Sequence, residues 1–284
     1  MSTNLVSGLS EIVDDYDLFL IDQWGVIHNG ETAHDGALEA LAKLHEANKR
    51  VIILSNSGKR VEDSFARMER MGVKPDYYDH VVTSGEMVHR NFLEPKDPFY
   101  AALGKNYVIF SWNDDSNAVT DGSDKQKVDD IDDADFILCT GTDQGDLDFY
   151  RPILEKAVTR NLPLICANPD LVSVAPDGTL NMCPGMVAKT YEEMGGPVRW
   201  HGKPQKETYD HCKALAPDCT RILGIGDSLR HDIKGANDAG GDGLFVCGGI
   251  HADEVGNPPN EVALANLFDI YAITPKYSVA RFVW

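Results

Sequence analysis

Short apolar runs alternate with helical patterns near both ends of this chain, and this alternation constrains the fold more than any single residue does. Runs such as 18–21 and 51–54 have the length and composition of buried strands, and each precedes a stretch with helical periodicity. Such alternation is typical of βαβ units, in which helices cover a parallel sheet. We predict strands at 18–21, 51–54, 81–83, 222–225 and 243–246, and helices at 37–48, 61–71, 86–92 (with Ser84 as N-cap) and 233–239.

The middle of the chain has a different texture. Residues 113–135 are crowded with Asp, Ser and Gly and are predicted to form a loop. Strand-like segments at 107–111, 136–139 and 164–166 lie around a helical pattern over 147–160. Because the first pattern returns near the end, we predict a core built from both ends of the chain, with a second domain inserted between them.

The composition is that of a globular protein with a strongly acidic balance. The 284 residues are 43% hydrophobic and 25% charged, and the net charge at pH 7 is −19. This charge argues against nucleic acid or an anionic membrane surface as a partner, because both are negatively charged. It does not exclude a small phosphorylated substrate, since a bound metal ion can reverse the local field.

The sequence predicts a cytoplasmic protein. Its first residues lack the pattern of a signal peptide, and no apolar stretch is long enough to span a bilayer. The six cysteines are scattered without a Cys-x-x-Cys pair, which favours free thiols in a reducing compartment. The apolar tail over 277–284 is predicted to pack on the core, with a contact between subunits of a homo-oligomer as the alternative.

Polar and charged side chains follow four apolar runs. The first is Asp22, the second is the pair Ser55 and Asn56, the third is Lys203, and the fourth contains Asp227 and Asp232. In open α/β sheets, ligands bind at the carboxyl ends of the strands, so these groups are expected to meet at one edge. The residues concerned are Asp22, Ser55, Asn56, Lys203, Asp227 and Asp232.

Each of these groups is suited to phosphoryl transfer. Asp22 can act as a nucleophile. Ser55 and Asn56, with nearby backbone N–H groups, can bind phosphate oxygens. Lys203 can neutralise negative charge. The carboxylates that follow the last strand can bind Mg²⁺, which prefers oxygen ligands. Taken singly, each also fits a cap, a turn or a surface charge, and only the ordered set favours a catalytic site.

This ordered set resembles the haloacid dehalogenase (HAD) superfamily, whose four motifs match Asp22, Ser55, Lys203 and the pair of carboxylates after the last strand. The middle of the chain resembles the class IIA branch, which includes nucleotide and p-nitrophenyl phosphatases. That resemblance is carried by Asn168-Pro169-Asp170 and by the Pro184-Gly185 pair before a helix.

The resemblance implies an α/β fold. It implies a Rossmannoid parallel-sheet core from residues 1–84 and 201–284, and an inserted α/β cap of the C2 type over residues 85–200. In the family, this cap closes over the site and helps to select the substrate. Asn168 is a candidate substrate-facing residue, whereas Asp170 is predicted to stabilise a turn.

The chain departs from the family pattern at Trp24. HAD phosphatases usually have a second Asp there, which serves as general acid and base. An indole has no proton to give near neutral pH, and general acid–base catalysis is typically worth about 10²–10⁴ in rate. The family metal site takes a backbone carbonyl from this position, so Trp24 remains a predicted Mg²⁺ ligand. His28 is the nearest candidate to replace the acid, and also a candidate substrate contact.

The resemblance therefore implies a Mg²⁺-dependent phosphatase that acts on a small sugar or nucleotide phosphate through an aspartyl-phosphate at Asp22, and that is weak on alkyl esters. One alternative is a non-catalytic phosphate-binding protein on the same scaffold. A metal-independent dehalogenase is another alternative, which also needs no second Asp. The two carboxylates Asp227 and Asp232 argue against the dehalogenase, because it would not need a metal.

Overall fold

The computed structural model of the chain describes residues 3–112, 117–143, 145–174 and 179–284. The strands are β1 (Asn4–Leu5), β2 (Leu18–Ile21), β3 (Arg50–Ser55), β4 (His80–Thr83), β5 (Asn106–Phe110), β6 (Gln126–Lys127), β7 (Phe136–Cys139), β8 (Leu164–Cys166), β9 (Val172–Val174), β10 (Leu180–Met182), β11 (Val198–Trp200), β12 (Ile222–Gly226), β13 (Asp242–Val246) and β14 (Tyr277–Val279). The helices are α1 (Ala37–Glu46), α2 (Val61–Arg70), α3 (Ser84–Leu93), α4 (Pro98–Ala101), α5 (Leu147–Thr159), α6 (Pro184–Glu193), α7 (Lys206–Leu215), α8 (Lys234–Asp238), α9 (Ala252–Val255) and α10 (Glu261–Tyr271).

The core is a seven-stranded parallel sheet in the order β1-β14-β13-β12-β2-β3-β4. The interior strand β2, between β12 and β3, is buried along its whole length, as expected for a parallel strand with helices on both faces. Ile21 pairs with Ile225 on one side and with Ile53 on the other. The residues that follow β2, β3 and β12 therefore leave the sheet at the same edge.

A second parallel sheet forms the inserted cap, with the strand order β11-β8-β7-β5-β6. An antiparallel hairpin of β9 and β10 belongs to the same insertion. All of these strands lie in sequence between Ser55 and Lys203. The α/β fold predicted from the sequence, with a parallel-sheet core and an inserted α/β cap, is confirmed. The exact domain limits at residues 84/85 and 200/201 stay a prediction.

Helix α1 illustrates why the core elements form where the sequence predicts them. Ala37, Ala40, Leu41 and Leu44 are buried, and their spacing places them on one face of the helix. Burying a Leu side chain contributes about 1.5–3 kcal/mol to folding, so this face is held against the sheet mainly by apolar packing. The helix ends near Asn48, whose φ of 54° cannot continue a right-handed helix.

Two local predictions are corrected by the structure. The N-cap of α3 is Thr83, whose Oγ1 accepts a hydrogen bond from the Glu86 N–H at 3.1 Å, whereas Ser84 is already inside the helix. The loop predicted over 113–135 contains two 3₁₀ turns and β6, which pairs with β5. Both residues of β6 are exposed, so no apolar pattern marks this edge strand. Residues 113–116 of this segment lie outside the described residues.

The C-terminal tail packs on the core as predicted. It forms β14 between β1 and β13, and the side chain of Phe282 is buried. The six cysteines, all within the described ranges, are free thiols, and only Cys219 is not fully buried. In the described part of the chain, no helix is both long enough and apolar enough to cross a membrane.

Candidate active site

Three carboxylates meet at the carboxyl edge of the core sheet. Asp22 follows β2, Asp227 follows β12, and Asp232 lies on a π-helical turn over Leu229–Ile233. One oxygen from each carboxylate lies within 4.8 Å of the others. The sequence analysis predicted all three as metal ligands, and the structure brings them together. A set of carboxylate oxygens of this kind suits Mg²⁺.

Lys203 lies between two of these carboxylates. Its Nζ is 2.7 Å from Asp22 Oδ1 and 2.7 Å from Asp232 Oδ1. Burial alone would lower the pKa of Lys203, but the charges of Asp22 and Asp232 outweigh it and hold the pKa above its usual value. The ammonium therefore stays charged and orients the carboxylate of Asp22.

One ammonium among three carboxylates leaves the cluster with excess negative charge. Burial raises the pKa of Asp22 to about 7, although Lys203 acts in the opposite direction. Burial, together with the charges of Asp22 and Asp232, raises the pKa of Asp227 well above its usual range. Both shifts show that the carboxylates are hard to ionise together without a further cation, so the donor set fits a divalent metal ion.

Glycines let the carboxylates approach the backbone. A Cβ on Gly25, where φ is +80°, would lie 2.1 Å from Asp227 Oδ2, and a Cβ on Gly226 would lie 2.0 Å from Asp232 Cγ. Backbone donors then fix the carboxylates, because Ile250 N–H donates to Asp227 at 2.9 Å and Ser228 N–H donates to Asp232 at 3.1 Å. Larger side chains at these glycines would displace the carboxylates.

Ser55, the last residue of β3, and Asn56, which follows it, extend the site. The hydroxyl of Ser55 is largely buried and accepts a hydrogen bond from Ser57 N–H at 3.2 Å. The amide of Asn56 is engaged at both ends, since Oδ1 accepts from Lys203 N–H at 2.8 Å and Nδ2 donates to Asp170 at 2.7 Å. The phosphate contact predicted for Asn56 therefore rests on its backbone N–H, while its side chain positions its neighbours.

Asp170 does more than stabilise a turn, which corrects the prediction from the sequence. Its carboxylate accepts from Asn56 and also lies 3.1 Å from His231 Nδ1. Burial alone would raise the pKa of Asp170, but the bonds to His231 and Asn56 and the charge of Lys203 outweigh it, so the pKa is lowered. The ionised Asp170 links the cap to two core segments. Sequence reasoning missed His231, although it directly precedes Asp232.

Trp24 is a contact between the core and the cap. Its indole Nε1 donates a hydrogen bond to the carbonyl of Val174, at the end of β9, at 3.0 Å. The ring leaves no space for a side chain at Gly30, because a Cβ there would lie 2.3 Å from the indole. The residue in place of the family's second Asp thus holds the cap hairpin, a role that the sequence did not indicate.

His28 is poorly placed to replace the missing acid. It is 1% exposed, and burial, the charge of Arg67 and that of His34 lower its pKa to about 4. Near pH 7 the imidazole is therefore neutral and has little tendency to give up a proton. Its ring lies edge-on to Trp24, at 5.8 Å between centroids, and lines a neighbouring cavity instead of the one around Asp22.

Two adjoining cavities lie between the core and the cap. The catalytic cavity, of about 220 Å³, contains Asp22, Lys203 and the other two carboxylates. The side cavity, of about 370 Å³, is lined by His28, Arg67 and Asn168 among others. The predicted substrate-facing residue Asn168 is thus in the side cavity. Four residues line both cavities: Trp24, Ser55, Asp170 and Ser173.

Comparison with known proteins identifies the family. Residues 19–118 match the family described as haloacid dehalogenase-like hydrolase, and residues 200–268 match one described as HAD-hydrolase-like. A crystal structure of a hydrolase of the haloacid dehalogenase-like family from Brucella suis is 31% identical. The alignment covers 98% of this chain and 100% of that one, with a TM-score of 0.83. This chain belongs to the haloacid dehalogenase superfamily.

Two less similar solved structures share the fold. A p-nitrophenyl phosphatase from Archaeoglobus fulgidus is 19% identical over 94% of this chain and 97% of that one, with a TM-score of 0.69. A glycerol phosphate phosphatase from Mycobacterium tuberculosis in complex with magnesium is 22% identical over 88% of this chain and 71% of that one, with a TM-score of 0.65. The search of curated proteins gave no match. The inserted cap occupies the position that the sequence resemblance to class IIA implies.

Proposed function

We propose that this HAD hydrolase is a Mg²⁺-dependent phosphatase that acts on small phosphorylated metabolites of the sugar or nucleotide phosphate class. The observation that carries the proposal is the position of Asp22. Its carboxylate is held by Lys203 at 2.7 Å and lies beside Asp227 and Asp232 at the carboxyl edge of the sheet. The p-nitrophenyl phosphatase and the magnesium-bound glycerol phosphate phosphatase with the same fold support a phosphate ester and this metal.

The residues that would hold Mg²⁺ are Asp22, Asp227 and Asp232, with the backbone carbonyl of Trp24. When bound, the ion supplies positive charge that offsets the phosphate oxygens as the nucleophile approaches. The excess negative charge of the cluster, seen in the raised pKa values of Asp22 and Asp227, supports this fit.

The first half-reaction forms an aspartyl-phosphate. A carboxylate oxygen of Asp22 attacks phosphorus, and the bond from phosphorus to the leaving oxygen breaks with its electron pair on that oxygen. Lys203 offsets the charge that gathers on the phosphoryl group. Trp24 has no proton for the leaving oxygen, so leaving groups that are stable as anions react fastest.

The second half-reaction returns the free enzyme. Water attacks phosphorus, the bond to the Asp22 oxygen breaks, and inorganic phosphate departs. The attacking water must lose a proton, which passes to bulk solvent, because the Trp24 indole cannot accept it. Hydrolysis of the aspartyl-phosphate is therefore the slower half-reaction for good leaving groups.

One observation favours a second candidate, a non-catalytic protein that binds phosphorylated ligands. The position of the usual general acid is taken by Trp24, whose indole bonds the cap at Val174. A site that only binds its ligand needs no proton transfer. The retained Asp22–Lys203 pair favours catalysis over this alternative, because mere binding needs no nucleophile.

Hydrolysis of p-nitrophenyl phosphate tests the proposal, because nitrophenolate leaves without needing a proton. We expect Mg²⁺-dependent release of nitrophenol, reduced at least about 10⁴-fold by Asp22→Asn. Asp17→Asn is the matched control, because Asp17 precedes the opposite end of β2, and this variant should keep its rate. If the wild type releases nitrophenol no faster than Asp22→Asn does, the non-catalytic binding protein is favoured. Halide release from 2-haloacids without metal would favour the dehalogenase.

A further inference from the structure

Two residues that line the side cavity each have a buried donor without an acceptor. Among the described residues, Gln23 Nε2 and His28 Nε2 are buried and lack a hydrogen-bond partner. Both residues line the side cavity, and they are only 4% and 1% exposed. A buried donor without an acceptor is destabilising, so two in residues that line one cavity call for an explanation. A ligand that brings acceptor oxygens would satisfy both.

The hydrogen-bond network fixes the chemistry that His28 offers. The backbone N–H of Gly30 donates to His28 Nδ1 at 3.1 Å. Nδ1 is therefore the unprotonated nitrogen, and the ring hydrogen of the neutral imidazole is on Nε2. The edge-on contact with Trp24, at an angle of 79°, holds the ring plane. His28 thus presents a donor of fixed position, and its ligand must supply an acceptor.

Arg67 adds a positive charge to the same cavity. It lies on α2, is half-buried, and its side chain forms no hydrogen bond or ion pair with any described residue. Its charge is close enough to His28 to lower the pKa of that imidazole. A guanidinium matches the paired oxygens of a carboxylate or phosphate. In a chain with a net charge of −19, an unpaired Arg in a cavity is suited to an anion.

The two carboxylates that line the side cavity, Asp63 and Asp170, do not make it unsuited to an anion. Asp63 is exposed to solvent, where its charge is screened. Asp170 is engaged by Asn56 and His231. The anion-binding groups Arg67, His28 and Gln23 are thus left for a ligand.

The side cavity lies where the rest of a substrate would extend. Ser55 and Trp24 line both cavities, so the side cavity adjoins the place where a phosphoryl group would bind beside Ser55 and Asp22. The volume of about 370 Å³ is within the range of small-molecule sites, about 300–1,000 Å³. The leaving part of a small phosphate ester fits there.

We infer that the side cavity binds a second anionic group, a carboxylate or a second phosphate, on the leaving part of the substrate, with Arg67, His28 and Gln23 as its donors. This inference rests on the proposed function, because it places the phosphoryl group at Asp22. It narrows the substrate class to phosphate esters that carry a further negative charge. Arg67 and His28 are then specificity-determining residues.

The test compares matched esters that differ in the second anion. The carboxylate pair is 3-phosphoglycerate and glycerol 3-phosphate, and the phosphate pair is glucose 1,6-bisphosphate and glucose 6-phosphate. Binding is measured by calorimetry with Mg²⁺ on the Asp22→Asn protein, which does not turn the esters over. We expect the anionic member of at least one pair to bind about tenfold more tightly or better, as for a charge-assisted hydrogen bond. The pair that shows the preference identifies the anion.

Variants on one helix separate the subsite from general electrostatics. In the Asp22→Asn background, Arg67→Met should reduce the preference to less than about threefold, and His28→Phe should weaken it in the same direction. Arg70→Met removes an exposed Arg from the same helix and should leave the preference intact. Equal binding within both pairs, or a preference that survives Arg67→Met, would overturn the inference.

The two proposals fail in distinguishable ways. If the wild type releases nitrophenol but the protein does not prefer the anionic esters, the phosphatase proposal stands and the inferred anion subsite is wrong. An anion preference in binding, sensitive to Arg67→Met, without hydrolysis of any ester keeps the subsite and loses the phosphatase. Circular dichroism of each variant checks that a lost preference does not come from unfolding.

Discussion

The catalytic cavity and the side cavity share the wall of Trp24 and Ser55, but their polar groups are balanced in opposite ways. In the catalytic cavity, three carboxylates cluster together and the one ammonium contacts only two of them, so the excess charge of this cluster is negative. In the side cavity, two buried donors and an Arg have no acceptor among the described residues. One cavity is suited to a cation and the other to an anion, which suits a metal-dependent enzyme for a doubly anionic ester.

The largest expected effect comes from removing the ammonium of the catalytic cavity. Lys203→Met leaves Asp22 and Asp232 buried without their partner, and breaking a buried ion pair costs about 3–5 kcal/mol. Urea unfolding measures this decrease in the free energy of unfolding. Saturating Mg²⁺ should restore part of the stability, because it offsets the same charge. Lys206→Met, three residues later and exposed, is the control and should change the free energy of unfolding by less than about 1 kcal/mol.

Addition of Mg²⁺ tests whether the catalytic cavity, and not the side cavity, binds the cation. A ligand that binds only the folded state at 100 times its Kd stabilises it by about 2.7 kcal/mol, so the melting temperature should rise by several degrees. Asp227→Asn should reduce this rise, because it removes a predicted ligand. Arg67→Met, which alters only the side cavity, should leave the rise unchanged. A rise of the same size in Asp227→Asn would contradict the predicted metal site.

Replacing Trp24, which lines both cavities, should change the rate-limiting step. Rapid mixing of wild type with p-nitrophenyl phosphate should give a burst of nitrophenol near one equivalent per site, because the proposed aspartyl-phosphate would accumulate. Trp24→Asp should shrink the burst and speed the steady state by up to about 10²-fold, if the new carboxylate reaches the water. Wild type without a burst, together with a folded Trp24→Asp variant that is no faster, would show that Trp24 does not limit the reaction.

The smallest expected effect concerns the hydrogen bond from Trp24 Nε1 to the carbonyl of Val174. Trp24→Phe keeps an aromatic ring but removes the N–H that donates to Val174. Loss of one hydrogen bond should cost about 1 kcal/mol in the free energy of unfolding. Trp200→Phe is the control, because the Trp200 indole bonds Glu192 within the cap in an exposed position. Equal losses in the two variants would show that the Val174 bond contributes nothing specific to cap docking.

The core sheet and the cluster of Asp22, Asp227 and Asp232 could be predicted, because the sequence patterns that indicate them are local. The four residues of β2 form one apolar run, and Asp22 follows it directly in the sequence. In a parallel sheet, such strand ends meet at one edge, so the sequence alone predicts that Asp22 and Asp227 are neighbours. Four motifs in a fixed order then indicate the family.

The contacts across the cap could not be predicted, because they join distant residues through docking of two sheets. Trp24 and Val174 are 150 positions apart, and Asn56 and Asp170 are 114 positions apart. No periodicity links such pairs. The sequence shows only that Trp24 breaks the family pattern, and it gives no sign that the indole bonds the cap. For the same reason, no local pattern marks Gln23 and His28 as donors that lack an acceptor, because the fold decides which groups surround them.

The position of Trp24 has an optical consequence. Its indole lies at the seam between the core and the cap, with Nε1 bonded to a carbonyl of the hairpin. If Trp112, Trp200 and Trp284 are replaced by Phe, Trp24 is the only remaining source of tryptophan emission, since the chain has four Trp residues. Separation of the two sheets would expose this indole to water and shift its emission to longer wavelength. A variant that keeps only Trp24 would thus report separation of the cap from the core by fluorescence, in real time and without a dye.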